Sequence, residues 1–379
     1  MVESSEGKNR IRTAQEFMRK KGLDAIMVAE PPGDQPASLN VYYLSGFYNP
    51  FSCWRPDVPI IPADGDPVMV TTALHQEAVQ ATSWISDLRT YTDKEFTEGS
   101  WWKIIGEVVK DRKLATIGVD KNFMPVSAFE NIKNVCPRDV KFEDCSDLVI
   151  DMQAIKSKKE VDKLRQACRL SERALKVGLE SARVGMTEKE LSLIIYKSLH
   201  DFGLTRRPPP ISLSSGKPPG GGKATDKKIE SGDIIHFDFG GQYELYACDL
   251  TRTAIVKGRP SEEFERVYNI VLDAEQSAVK AVKPGIKASE IDAIAREKMK
   301  KAGFTYGHNT GHGLGLHTHY YPVIGPAENR ELKPGMCFTI EPNARIPGKA
   351  YAHVEDDIVV TETGYESMTS FPREIYRID

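Results

Sequence analysis

The second half of this 379-residue chain repeats its own sequence pattern. Val-Gly-Met at 184–186 recurs as Pro-Gly-Ile at 284–286, an offset of 100 residues. Amphipathic patterns over 160–181 and 262–281 predict a helix before each copy. We therefore expect two related units packed about an approximate two-fold axis, with chance likeness among common residues as the alternative. Three further pairs match at the same offset: Glu190 and Glu290, Leu191 and Ile291, Gly203 and Gly303.

An apolar strand ending in an acid follows each predicted helix pair. Residues 232–238 read GDIIHFD and residues 335–341 read GMCFTIE, so that Asp238 matches Glu341. In the next strands, Asp249 is matched with Glu355. A turn at Tyr243-Glu244 would place Asp238 directly opposite Asp249. Two helix–helix–hairpin units would bring the four carboxylates toward one centre.

These carboxylates lie where an isolated charge is costly. An acid in an apolar strand must be paired, hydrogen-bonded or bound to metal, unless it faces water on an alternating strand. His312 lies nearby in sequence within Gly311-His312-Gly313, where glycines allow close approach of the backbone. One imidazole and four carboxylates suit Mn²⁺, Fe²⁺, Co²⁺ or Zn²⁺. Two such ions would generate a hydroxide and polarise a carbonyl, which is hydrolytic chemistry.

The first half has a different organisation. Apolar runs at 25–28, 68–70 and 116–119 predict strands, and 73–81 and 101–112 predict helices, which together favour an α/β layer domain. Ser157 and Glu160 form a capping box that begins a helix. We place the boundary just before it, which gives domains at 1–155 and 156–379.

Composition excludes several function classes. A net charge of −3 gives no reason to expect a nucleic-acid or anionic-membrane partner. No apolar run is long enough to span a bilayer, and the polar start does not resemble a signal peptide, so a cytoplasmic protein is expected. Six cysteines without a C-x-x-C pair favour reduced thiols.

The motifs together resemble the pita-bread metallopeptidases. This family includes Xaa-Pro dipeptidase (prolidase), Xaa-Pro aminopeptidase, methionine aminopeptidase and the non-peptidase creatinase. The likeness runs in order through GDIIHFDFGGQYELYACDLTRT (232–253), GHGLGLHTHYYP (311–322), TIEP (339–342) and VEDDIVVTETG (354–364). NVYYLSGF (40–47) resembles the creatinase/prolidase N-terminal domain. The resemblance implies an α+β pita-bread catalytic domain with an internal pseudo-twofold repeat, preceded by a smaller α/β domain.

The resemblance also implies roles for individual residues. Asp249 and Glu355 would bridge two divalent ions, with manganese favoured, and Glu341 would also take a proton from the bridging water. His308 falls on a substrate-pocket histidine, and His319 on the histidine that contacts substrate or the tetrahedral intermediate. Thr251 would hold Asp249 in place. The five positions that match the family's metal ligands are Asp238, Asp249, His312, Glu341 and Glu355.

The substrate side departs from the family pattern. The family histidine that lies 17 residues before the first aspartate is Gly221 here. The usual arginine two residues before the last glutamate is His353, and the usual His-Glu pair is His319-Tyr320. His236 shares a strand face with Asp238, so it is either a core histidine or a replacement for the lost one.

The sequence is compatible with three functions. The first, which we favour, is an Xaa-Pro dipeptidase or aminopeptidase that uses two divalent ions. Its substrate would be a small peptide, and we expect a homodimer. A creatinase- or ectoine-hydrolase-like enzyme acting on a small non-peptide amide or amidine is the second. A non-catalytic binding protein is the third, although such proteins usually lose metal ligands and all five are present here.

Overall fold

The computed structural model describes residues 4–29, 39–49, 55–205 and 211–379. The chain divides into two compact units, Met1–Met152 and Gln153–Asp379. Within the described ranges, no helix is both long and apolar enough to cross a membrane. Five cysteines lie in those ranges and form no disulfide with one another, whereas Cys53 lies outside them.

The first unit is built on a six-stranded mixed sheet with strand order β4-β3-β2-β1-β5-β6. Its apolar core lies between this sheet and α5 and α6, where Trp101 and Ile105 are buried. The α/β prediction is confirmed, although the first helix and the antiparallel strand β2 were not predicted. The strands are β1 Ala25–Met27, β2 Val58–Pro62, β3 Val68–Thr72, β4 Asp87–Tyr91, β5 Thr116–Val119 and β6 Lys141–Asp144. The helices are α1 Ser4–Lys21, α2 Leu39–Ser45, α3 Gln76–Thr82, α4 Asp93–Glu98, α5 Trp102–Asp111, α6 Val126–Val135 and α7 Ser146–Ala154, the last of which crosses the division between the units.

The second unit begins with a helix pair that its later half repeats. The capping box of Ser157 and Glu160 opens the first helix of the series, as predicted. Glycine follows at equivalent places with positive φ, +89° at Gly185 and +84° at Gly285, where residues with a Cβ would be strained. The four helices are α8 Lys158–Ser181, α9 Glu188–Asp201, α10 Glu262–Ala281 and α11 Ala288–Lys301.

The repeat extends to individual backbone hydrogen bonds. Gly185 N–H donates to Ile229 O at 2.9 Å, and Gly285 N–H donates to Leu332 O at 2.8 Å. Further along, Gly232 N–H donates to Val256 O and Gly335 N–H to Val360 O. Chance likeness in sequence does not produce matched hydrogen bonds, so the two copies are the same structural unit.

Two sheets carry the strands of the second unit, with orders β19-β11-β8-β7 and β13-β12-β14-β17-β18. They meet where Thr251 pairs with Glu355 in an isolated antiparallel bridge. The first sheet holds β7 Ser212–Gly216, β8 Ile234–Phe239, β11 Leu250–Val256 and β19 Tyr376–Ile378. The second holds β12 Gly311–Gly313, β13 Tyr320–Ile324, β14 Cys337–Ile340, β17 Asp356–Val360 and β18 Tyr365–Ser367. Two small hairpins are separate from these sheets: β9 Gln242–Tyr243 pairs with β10 Tyr246–Ala247, and β15 Asn343–Ile346 pairs with β16 Ala350–His353.

The predicted register of the first hairpin is wrong by two residues. Tyr243 pairs with Tyr246, and Asp238 pairs with Thr251 rather than with Asp249. The turn is formed by Glu244 and Leu245, both at positive φ, the conformation that a tight two-residue hairpin needs. Because side chains alternate with a period of two, this shift keeps Asp238 and Asp249 on one face of the hairpin.

The predicted equivalence of Asp249 and Glu355 between the two copies is also wrong by two residues. The equivalent hydrogen bonds to Val256 and Val360 set an offset of 104 residues between the second strands. The residue equivalent to Glu355 is therefore Thr251, and the residue equivalent to Asp249 is His353.

Candidate metal centre

The five residues of metal-ligand type lie at the junction of the two sheets. Each is on a strand or directly beside one, so backbone hydrogen bonds fix its position. They are Asp238 on β8, Asp249 just before β11, His312 on β12, Glu341 just after β14 and Glu355 just before β17.

Their ligand atoms converge in two overlapping groups. Asp238, Asp249 and Glu355 offer carboxylate oxygens that all lie within 4.8 Å of one another. His312, Glu341 and Glu355 form a second group by the same measure. Nε2 of His312 lies 3.5 Å from Oε1 of Glu341 and 3.9 Å from Oε1 of Glu355. Glu355 belongs to both groups, which is the arrangement that a carboxylate shared by two ions requires.

The electrostatics of this cluster fit bound cations. Burial, followed by the charges of Asp249 and Glu341, holds the pKa of Glu355 well above its usual value. Oε1 of Glu355 is buried and has no hydrogen-bond partner among the residues that the structure describes. Burial also lowers the pKa of His312 to about 4, which keeps the imidazole neutral and its lone pair available near neutral pH. Buried acids that repel one another beside a neutral imidazole form a donor set suited to divalent ions.

Neighbouring side chains orient the carboxylates. The Thr251 hydroxyl donates to Oε2 of Glu355 at 2.8 Å, so it holds Glu355 rather than Asp249. Asp249 is held through its backbone instead, because its N–H donates to Oδ2 of Asp357 at 3.1 Å. Arg252 donates to the carbonyl of Glu355 at 2.8 Å. The Thr251 contact limits the rotation of the Glu355 carboxylate, and the other two contacts fix the backbone of Asp249 and of Glu355.

His236 and His353 form a pair beside Glu341. Nε2 of His236 lies 3.3 Å from Nδ1 of His353, and both rings are buried. Nε2 of His353 lies 3.4 Å from Oε2 of Glu341. Burial would lower the pKa of His353, but Glu341 more than offsets it and raises the pKa. A neutral His353 with its hydrogen on Nε2 accepts from His236 at Nδ1, whereas a protonated His353 donates from Nδ1 to His236.

His308 and His319 lie at the edge of the cluster. The His319 ring is exposed, and its centroid is 4.0 Å from that of His312. Nε2 of His308 accepts from Asn343 at 2.6 Å, and its Nδ1 donates to Asn309 O at 2.6 Å. Nδ1 of His308 therefore carries a hydrogen, because a carbonyl oxygen can only accept. His319 presents its ring to the solvent side of His312.

The space beside Gly221 is lined by two residues that the sequence did not single out. A Cβ at Gly221 would lie 3.4 Å from Cε1 of Tyr351 and 3.5 Å from Nη2 of Arg345. The Tyr351 ring lies 5.2 Å from that of His236. These two residues belong to no motif, and only their nearness to Glu341 and Glu355 in the chain could have indicated them.

Asp357 was also missed, although a sequence signal existed. It is the last acid of Glu355-Asp356-Asp357, and all three side chains are buried in the structure. Three consecutive acids before an apolar run cannot all face water on one strand, because neighbouring side chains point to opposite faces. At least one of them therefore had to point into the interior and find a partner there. Asp357 does so, because its carboxylate accepts a hydrogen bond from the backbone N–H of Asp249.

Comparison with known protein families gives two matches along the chain. Residues 10–155 match the creatinase/prolidase N-terminal domain. Residues 162–362 match metallopeptidase family M24. The family resemblance read from the sequence and the two-domain organisation of the fold are thereby confirmed.

Individual relatives align over nearly the full length. An Xaa-Pro dipeptidase of Pyrococcus furiosus is 31% identical over 377 residues, covering 97% of this chain and 99% of that protein. The crystal structure of an X-Pro aminopeptidase from Thermotoga maritima has a TM-score of 0.84 at 29% identity, covering 97% and 99% of the two chains. The structure of an Xaa-Pro dipeptidase from Bacillus anthracis has a TM-score of 0.87 at 28% identity, covering 98% and 100%.

Proposed function

The chain belongs to metallopeptidase family M24, and on that premise we propose that it hydrolyses the peptide bond before proline in Xaa-Pro dipeptides. The observation that carries this proposal is the convergence of five ligand-type side chains, from two sheets, on one centre. As a member of this family it depends on divalent metal ions. We propose two ions per chain, with manganese favoured, held by Asp238, Asp249, His312, Glu341 and Glu355.

In this proposal the bound ions and the residues around them have separate roles in catalysis. Bound divalent ions would lower the pKa of the attacking water and polarise the scissile carbonyl. Glu341 takes the proton of that water, since its carboxylate is flanked by His312 and His353. Although burial raises the pKa of Glu341, those histidines more than offset it and keep the carboxylate ionised. A carboxylate that is ionised in the resting enzyme can serve as general base.

His319 and His308 complete the substrate side. His319 is exposed beside His312, so it can donate to the oxygen of a tetrahedral intermediate. His308 accepts from Asn343 and contributes a wall of the pocket. His353 positions Glu341, and His236 fixes the orientation of His353. In this assignment His236 compensates for the histidine missing at 221 indirectly, by stabilising the base.

A second candidate is a hydrolase of a small non-peptide amide or amidine. Gly221 favours it, because the peptidases of this family usually carry a histidine at the equivalent position. Tyr351 and Arg345 line the space next to Gly221, so the pocket there differs chemically from that of a histidine-bearing peptidase. The full-length likeness to an Xaa-Pro dipeptidase favours the peptide substrate over this candidate.

A substrate panel tests the proposal. The purified protein is loaded with Mn²⁺, Co²⁺, Fe²⁺ or Zn²⁺ and assayed on Ala-Pro, Ala-Pro-Ala, Ala-Ala, creatine and a cyclic amidine. We expect cleavage of Ala-Pro, at least tenfold slower cleavage of Ala-Ala, and loss of both activities with a chelator. Turnover of creatine or the amidine without turnover of Ala-Pro would contradict the proposal and establish the second candidate.

We further propose that the enzyme works as a homodimer, as the family resemblance implies. Light scattering on the metal-loaded protein tests this. A mass of about twice 42.3 kDa supports it, and a mass of one chain contradicts it.

A further inference from the structure

A cluster of two thiols and a carboxylate lies beside the candidate metal centre. It consists of Cys168 on α8, Cys248 next to Asp249 in the chain, and Asp357 on β17. One ligand atom from each residue, two Sγ atoms and a carboxylate oxygen, all lie within 4.8 Å of one another. All three side chains are buried, and none of them belongs to the five-residue ligand set of the main centre.

The contacts of the cluster leave one carboxylate oxygen unsatisfied. The thiol of Cys168 donates to Oδ2 of Asp357 at 3.2 Å, and the thiol of Cys248 donates to Oγ of Ser171 at 3.2 Å. Oδ2 of Asp357 also accepts from the backbone N–H of Asp249. Oδ1 of Asp357, however, is buried and has no hydrogen-bond partner among the described residues. A buried oxygen without a partner is costly, and a bound cation would satisfy it.

The ligand types select a thiophilic divalent ion. Thiolates favour Zn²⁺ and similar soft ions, whereas Mn²⁺ favours carboxylate and water oxygens. In tetrahedral zinc sites the bonds are about 2.3 Å to sulfur and about 2.0–2.2 Å to oxygen, so a sulfur and an oxygen ligand lie roughly 3.5 Å apart. The 3.2 Å contact between Cys168 and Asp357 is close to that spacing. The hydroxyl of Ser171, beside Cys248, offers a fourth ligand.

The other copy of the repeat shows that the scaffold does not need these residue types. With the helix offset of 100 residues, Tyr268 is the counterpart of Cys168. With the strand offset of 104 residues, Thr253 is the counterpart of Asp357. Tyr268 and Thr253 are buried and share a side-chain hydrogen bond. The same place in the fold is thus filled by neutral hydroxyl residues in one copy and by ligand-type residues in the other.

We propose that Cys168, Cys248 and Asp357 form a separate cation site that binds one thiophilic divalent ion, such as Zn²⁺ or Cd²⁺. The two cysteines bind as thiolates, so each gives its S–H proton to solvent as the ion enters. Burial, followed by the contact with Cys248, raises the pKa of the Cys168 thiol, so the proton leaves when a cation replaces it. The inference does not rest on the proposed hydrolase activity.

The alternative is that the two cysteines are packing residues that only support Asp357. In that role their S–H groups remain protonated and no ion enters the cluster. The two roles therefore differ in whether sulfur binds a metal ion. That difference can be measured directly and without turnover.

The test titrates manganese-loaded protein, kept reduced by a phosphine, with Cd²⁺ and follows the ultraviolet charge-transfer absorption of cadmium thiolate at equilibrium. Oxygen and imidazole ligands do not produce this absorption, so Cd²⁺ that exchanges into the main centre does not mimic the result. We expect one absorbing ion per chain. Cys168→Ala and Cys248→Ala should each weaken its binding at least about tenfold. Cys136→Ala, which changes a buried cysteine of the first unit, is the control and should bind as wild type does.

Cadmium NMR of the unsubstituted protein gives a second measurement, which stands even if a variant fails to fold. A resonance in the range of sulfur coordination supports the inference. Resonances of oxygen and nitrogen coordination alone would overturn it, as would absorption that persists unchanged in both cysteine variants. Loss of Xaa-Pro cleavage in any of these proteins bears on the proposed function and not on this site.

Discussion

The two carboxylate oxygens of Glu341 are divided between two imidazoles. Oε2 lies 3.4 Å from Nε2 of His353, and Oε1 lies 3.5 Å from Nε2 of His312. One oxygen thus faces the metal-ligand group, while the other faces His353, whose Nδ1 lies 3.3 Å from Nε2 of His236. In the proposed mechanism Glu341 is the general base, and a histidine on its far side would keep it in one orientation during proton transfer, which is the basis of the first prediction.

Replacing His236 with alanine should lower kcat about tenfold while leaving the metal content nearly unchanged. His353 would lose the partner that fixes its ring, so Glu341 would no longer be held in one orientation. Steady-state kinetics on Ala-Pro and elemental analysis of the same preparation check both halves. His200→Ala, an exposed helix position, is the control. Full activity in His236→Ala would show that His236 is a packing residue.

Asp249→Ala should lose at least one of two divalent ions per chain and nearly all activity. In the proposed centre Asp249 bridges both ions, so its loss would affect both, while the backbone contact of residue 249 with Asp357 would remain. Elemental analysis after loading and desalting measures the ion count, with the exposed Asp139→Ala as control. Two ions retained in Asp249→Ala would contradict the assignment, as would wild-type protein that binds no stoichiometric ion.

Gly221→His should not raise Xaa-Pro cleavage and should destabilise the protein by about 1–2 kcal/mol. Gly221 has φ of +72°, and a Cβ there would contact Tyr351 and Arg345, so the family histidine cannot simply be restored. Kinetics and urea denaturation measure the two effects. Gly203→His has a similar φ of +80° and open surroundings, so it controls for backbone strain alone. A clear rise in Ala-Pro cleavage in Gly221→His would refute this account of the pocket.

Glu275→Gln should change how stability depends on pH. Burial, followed by the charge of Asp356, raises the pKa of Glu275 to about 8 from an ordinary value of 4.5. The folded state therefore holds this proton more tightly than the unfolded state, and the free energy of unfolding falls as pH rises between about 4.5 and 8. Glutamine does not titrate, so the variant lacks this pH-dependent decrease. The free energy of unfolding of the variant minus that of the wild type should therefore increase from pH 5 to pH 8. Urea denaturation at both values measures this, and an unchanged difference between the two proteins would contradict it.

The sequence predicted the repeat and the residues of the centre because both depend on local patterns. Matching glycines such as Gly185 and Gly285 mark turns that require positive φ, and acids in apolar strands are rare enough to be noticed. Such signals can be recognised in a single sequence because each is confined to a few neighbouring residues.

The register of the first hairpin could not be predicted in this way. Tight hairpin turns are usually marked by glycine or asparagine, but here Glu244 and Leu245 adopt positive φ. Without that signal, the turn was placed one residue too early and the pairing shifted by two. Arg345 and Tyr351 were missed for another reason, since their importance lies in what they contact across the fold.

The duplicated scaffold of the second unit carries one duplicated pair of ligand-type residues, Asp238 and Glu341, but its other positions differ. At equivalent places the first copy has Asp249 and the second has His353, while Thr251 is the counterpart of Glu355. Two ions held by such a centre would therefore have unequal affinities, although the backbone around them is nearly symmetric. They would be taken up in sequence, and a preparation with one ion per chain would be a defined species rather than a mixture of half-filled sites.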